Sequence, residues 1–139
     1  MPETGTKTRI EKVATVLLPV ANQDRALDFY VTTLGFEKRT DVPYGQGDRW
    51  VEVAPPGAAT TVALVPPMQG QETTASDQPG AGRPTHCSFY SGDIDADHEY
   101  LKGQGVDVDA QIMRMPAPVP PMFWFRDVDG NNLLVVGAV

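Results

Sequence analysis

Two side chains of this sequence are placed to do chemistry, His86 and Glu52. His86 stands in "RPTHCSFYSGDIDADHEY", residues 83–100, at the mouth of a strand-like run that leads into an acidic, helix-like segment. An imidazole near a strand start is a ligand type that mononuclear metal sites use, and it is equally compatible with ordinary packing. Glu52 stands in "WVEV", where Trp50, Glu52 and Ala54 alternate onto one face of a strand. If His86 and Glu52 face one another, the carboxylate raises the imidazole pKa toward working pH and the two form a proton-transfer pair. The other reading of Glu52 is an outward, solvated carboxylate on a half-exposed hairpin.

Trp50, Glu52, His86, Arg114 and Trp124 are the candidate ligand-binding residues. "QIMRMPAPVPPMFWF", residues 111–125, sets Met113, Met115 and Met122 beside Phe123, Trp124 and Phe125 with prolines between them, an apolar and stiffened loop. Such a loop covers a ligand or packs into a core and dimer contact. Arg126 is expected to pair with Asp127 or Asp129 at the surface, and His98, among Asp95, Asp97 and Glu99, to face solvent. The one cysteine, Cys87, lies in the apolar run "HCSFY" and reads as a small buried residue with no disulfide partner.

These residues need a scaffold, and the chain repeats one. "ATVLLPVANQDRALDFYVTTLG" begins as a strand over 14–20 and continues with Leu27, Tyr30, Val31 and Leu34 at helical spacing, Asn22 as N-cap and Gly35 as the stop. "THCSFYSGDIDADHEYLKGQG" repeats the plan, with a strand over 86–90, Asp93 as N-cap, Ile94 and Leu101 on one helical face and Gly105 near the end. An offset of 71 residues carries Asn22 onto Asp93, Asp24 onto Asp95 and Thr15 onto His86. Each helix is followed by a polar strand, "FEKRTDV" or "VDVDAQI", and then a hairpin with a glycine-containing turn. The chain therefore reads as one domain over 1–139, with βαβββ modules at about 11–66 and 85–138 and a Pro/Gly-rich linker at 67–84. The fold class is α+β: two curved four-stranded sheets side by side, helices outside, with a concave inner face suited to a small molecule.

A chain of 139 residues supports one core without disulfides, burying roughly two-thirds of its unfolded surface. A net charge of -7 repels phosphate backbones and anionic lipids, so neither nucleic acid nor a membrane is an expected partner. The polar N-terminus and the short longest apolar stretch, residues 13–21, place the chain in the cytoplasm by default.

The repeat, with "VANQDRALDFYVTTLGF" and "FRDVDGNNLLVV", closely resembles the vicinal oxygen chelate superfamily, which includes glyoxalase I, bleomycin-resistance proteins, fosfomycin-modifying enzymes and extradiol dioxygenases. The resemblance implies a half-open barrel and a homodimer. In metal-using members the ligands come from the first and last strand of each half, which here implies Thr15, a residue near Leu64, His86 and one near Leu134. "VATVLL", "TVALV" and "LLVVGAV" hold no His, Cys, Asp or Glu, and one histidine does not hold a divalent metal where about three protein ligands are needed. The expectation is a protein that binds a small molecule in its cavity with no cofactor, a divalent metal being disfavoured. The alternative is an enzyme, a lyase, isomerase or dioxygenase-like protein, using His86 and Glu52.

Overall fold

The computed structural model describes residues 7–67 and 83–139, so nearly all of the expected linker lies outside the described residues. The first module runs β1 (Thr15–Pro19), α1 (Gln23–Leu27), a π-helical segment (Asp28–Thr33), β2 (Glu37–Tyr44), β3 (Asp48–Ala54) and β4 (Thr61–Val65). The second runs β5 (Arg83–Tyr90), α2 (Ile94–Gly103), β6 (Asp107–Val108), β7 (Met122–Arg126) and β8 (Asn131–Val136). The sheets have equivalent orders, β1-β4-β3-β2 and β5-β8-β7-β6, with β1·β4 and β5·β8 parallel and the other pairs antiparallel.

Both helices start where their polar caps require. The Asn22 side chain accepts from the Arg25 amide and the Asp93 side chain from the Ala96 amide. Gly35 ends the first helix at φ 81, a left-handed conformation that costs glycine little. Between cap and stop, the expected α-helical stripe gives way to a wider turn. The Leu34 amide donates to the Phe29 carbonyl, five residues back, and Phe29 and Tyr30 are buried while Val31 is exposed. Two adjacent aromatics of this turn, Phe29 and Tyr30, thus face the core. In α2, His98 joins Ile94 and Leu101 on the buried face, so the expected solvated histidine is corrected: its Nε2 meets the Asp109 carbonyl at 2.8 Å and its ring packs edge-on against Phe123.

Strand parity sorts the side chains. In the first sheet Leu18, Val51, Val53, Val62 and Leu64 point one way into the core, and in the second Phe123, Phe125, Leu133 and Val135 do the same. All belong to a single core with residues of both helices, joined across the modules by ring contacts such as Phe29–Phe125 and Phe36–Phe89. Each helix buries one side in this core, Ala26 with Phe29 and Tyr30 in the first module and Ile94 with Leu101 in the second, and leaves its other side exposed.

The turn between β7 and β8 clasps the modules. Asp127 Oδ1 accepts from the amides of Asp129 and Asn131, and its Oδ2 accepts from Asn131 Nδ2 and, at 2.6 Å, from the Tyr30 hydroxyl of the first module. Asn131 Nδ2 also donates to the Pro19 carbonyl, and Asp129 accepts from the Ala21 amide. Burial, with Asp127 beside it, pushes the Tyr30 phenol well above its ordinary range, so it remains a donor. Arg126 is also corrected: it is buried and pairs with Asp107 and Asp109, at 2.9 and 3.0 Å, in place of Asp127 or Asp129.

Two stability outcomes follow from the clasp. Tyr30→Phe withdraws a donor from a buried carboxylate and should cost about 1–3 kcal/mol, read as a lower urea midpoint at unchanged slope. Burial, the largest influence, raises the Asp129 carboxyl above its ordinary 3.8. A raised acid favours folding fully below its unfolded pKa and loses that contribution as pH rises through the folded value. Asp129→Asn keeps an acceptor for Ala21 and should flatten this decline in melting temperature above pH 3.8; a profile parallel to the parent's would contradict it.

Candidate functional site

The sheet faces turned away from the shared core carry the candidate residues. On the first sheet this face holds Thr15 and Leu17 of β1, Trp50 and Glu52 of β3, and Thr61 and Ala63 of β4. Glu52 is half-buried, and both its oxygens are engaged: Trp50 Nε1 donates to Oε2 at 2.5 Å and Thr61 Oγ1 to Oε1 at 2.7 Å. Thr15 Oγ1 donates to the Thr61 carbonyl, and Tyr44 stands edge-on to Trp50 with ring centroids 6.4 Å apart. Two neutral donors hold the carboxylate with no basic partner among the described residues. The group is a fixed acceptor beside an aromatic surface, with spare lone pairs for a ligand's N–H or O–H.

Sequence reasoning found Trp50 and Glu52 by alternation. It missed Thr61 and Tyr44, because the hairpin and edge-strand register that brings them to this face is non-local.

On the second sheet the corresponding face holds Ser88 of β5, Trp124 of β7 and Leu134 of β8, register partners across the three strands. Here the internal symmetry breaks at His86. The 71-residue offset relates Leu18↔Leu64 to Phe89↔Val135 and Leu17↔Ala63 to Ser88↔Leu134. Before Ser88 the strand bulges: Ser88 lies four positions after Pro84, whereas their partners Leu134 and Asn132 lie two positions apart. His86 lies in that bulge, exposed, at φ 58, a conformation that non-glycine residues adopt seldom. It is therefore displaced from strict equivalence with Thr15. His86 and Glu52 lie in different sheets, and the hydrogen bonds of Glu52 go to Trp50 and Thr61.

Arg114 is directed to α2, where its guanidinium pairs with Asp95 at 2.5 Å, both side chains exposed. The loop that contains it returns through a bridge between Met113 and Met122.

The positions that the resemblance implies for metal ligands are Thr15, His86, one near Leu64 and one near Leu134. Leu64 is turned into the core, one residue out of phase with the face that carries Glu52; Ala63 takes that place, and Leu134 holds the equivalent place on β8. Neither offers a donor atom, and Thr15 offers only a hydroxyl. Among the described residues no three His, Cys, Asp or Glu side chains are grouped to hold a metal ion. Nor is any described helix long and apolar enough to cross a membrane.

Comparison with known proteins agrees with this architecture. The family profile described as Glyoxalase/Bleomycin resistance protein/Dioxygenase superfamily matches residues 12–135. The uncharacterized protein YetH of Bacillus subtilis (strain 168) is 31% identical over 128 residues, covering 91% of this chain and 98% of its own. A superfamily member from Sphaerobacter thermophilus DSM 20745 is 36% identical, with a TM-score of 0.80 over 94% of this chain and 99% of that one. TnmS3, an antibiotic binding protein from Streptomyces sp. CB03234, is 32% identical, with a TM-score of 0.76 over 95% and 99%. Two βαβββ modules of equivalent strand order, matched over almost their full length, make this chain a member of the glyoxalase/bleomycin resistance protein/dioxygenase superfamily.

Proposed function

We propose that the protein binds a small organic molecule on its inner sheet faces, without a metal, and that a second copy of the chain closes the site. The observation that carries this reading is the Trp50–Glu52–Thr61 group: an acceptor fixed by two hydrogen bonds on a half-exposed face, with the Trp50 and Tyr44 rings beside it. An aromatic molecule bearing a hydroxyl or amine would stack on the rings and donate to Glu52. The likeness to TnmS3, an antibiotic binding protein, supports a binder over a catalyst.

Closure by a second copy is supported by the packing. Because the other sides of both sheets meet in one core, the two candidate faces do not close on each other within one chain. The first keeps Leu17, Val42 and Tyr44 at 42, 49 and 46% exposure. Apolar side chains left this open on a sheet that carries a polar anchor mark a surface that another surface covers. Trp124 and Leu134 of the partner would then complete the wall opposite Trp50 and Glu52.

Screening a fragment mixture by the indole signals of Trp50 and Trp124 tests the reading. A hit should lose about tenfold or more in affinity with Glu52→Gln, the equivalent of one charged hydrogen bond. Equal affinity would remove Glu52 from the site. Sedimentation at micromolar concentration should show twice the chain mass; a lone 15.0 kDa species would overturn the closed site. Stoichiometric Zn, Ni or Fe in the untreated protein, lost with His86→Ala, would overturn the metal-free reading.

A further inference from the structure

The structure contains a cleft at the junction of the modules, away from the sheet faces that carry Trp50 and Trp124. It has a volume of about 240 Å³ and is walled by Leu34 and Phe36 from the first module and by Phe89, Leu101, Phe125 and Val135 from the second. The rings form a continuous surface: Phe36 stands edge-on to Phe89 at 5.5 Å, and Phe89 stacks on Phe125 at 6.5 Å. A dry apolar cavity of about 150 Å³ accommodates benzene, so this cleft has room for one ring with a short substituent.

Its mouth is polar with one sign of charge. Asp97 reaches the cleft from α2, beside Ser91 and Tyr100. Ser91 Oγ donates to Asp97 Oδ2 at 2.6 Å and Tyr100 donates its hydroxyl to the Thr33 carbonyl, so both rim groups are held in place. Asp97 Oδ1 accepts no hydrogen bond among the described residues, and none of the lining residues is basic. The chain as a whole carries a net charge of -7. An anion meets repulsion here, and a neutral apolar compound leaves the carboxylate unused. A cation meets both the carboxylate and the faces of aromatic rings.

We propose that this junctional cleft binds small arylalkylammonium ions, the ring seated among Phe36, Phe89 and Phe125 and the ammonium on Asp97. The site is independent of the inner faces: it is complete within one chain and contains no tryptophan. Because module 1 and module 2 each supply one wall, an occupant also bridges them and stabilises the junction.

The test uses 2-phenylethylammonium and its neutral counterpart 2-phenylethanol on the intact protein, followed by amide and indole NMR shifts. The cation should bind saturably, about tenfold tighter than the alcohol, with shifts at Phe36, Phe89 and Leu101 and none at the Trp50 and Trp124 indoles. Asp97→Asn keeps an acceptor for Ser91 and should reduce affinity for the cation to that for the alcohol. Equal binding of the two compounds by the unsubstituted protein would overturn the proposal whether or not the variant folds. So would the absence of saturation at millimolar concentration. Shifts confined to the indoles would place the cation on the inner faces, which overturns this site while leaving the inner-face reading standing.

Discussion

The buried Asp127 carboxylate ties the two modules together, because its hydrogen-bond donors among the described residues are drawn from both. The amides of Asp129 and Asn131 and the side chain of Asn131 come from its own turn, and the Tyr30 hydroxyl from the other module. An isolated carboxylate at such depth is costly, so the arrangement tolerates little displacement of any partner. The same turn reaches the end of β1 through Pro19 and Ala21. The backbone of both sheets is thereby held in one orientation.

That orientation decides which sides of the sheets become core. With Tyr30 drawn to Asp127, Phe29 beside it meets Phe125 of the second module, and both rings face inward from the π-helical turn. The helices bury one side against the sheets' apolar sides, and the opposite sides of the sheets, with Trp50 and Glu52 on one and Trp124 on the other, remain open. Where the modules' apolar sides do not quite meet, the cleft rimmed by Asp97 is left between them. The shared core and the open sheet faces thus have one origin, the way two unequal modules are packed.

The modules are unequal where chemistry would be decided. The first holds a carboxylate fixed by Trp50 and Thr61 on a regular strand pair. The second carries an exposed imidazole in a bulge, at a backbone angle that costs energy. A shared fold leaves such differences free, which is why it accommodates chelating enzymes and binding proteins alike.

Much of the architecture was legible in the amino-acid sequence because it depends on local signals. Asn22, Asp93, Gly35 and Gly105 mark helix ends through capping and left-handed backbone, and alternation in "WVEV" put Trp50 and Glu52 on one face. The 71-residue repeat likewise pointed to two modules with the same order of elements along the chain. The tertiary structure alone decided the rest, for reasons of register and packing. A one-residue phase difference turned Leu64 into the core and Ala63 to the open face, and a bulge moved His86 out of equivalence with Thr15. Burial of His98 and Arg126 required partners remote in sequence, the Asp109 carbonyl and the carboxylates of Asp107 and Asp109. Spacing along the chain carries the period of an element; which of its faces meets another module is set only when the apolar sides of both compete for the same core.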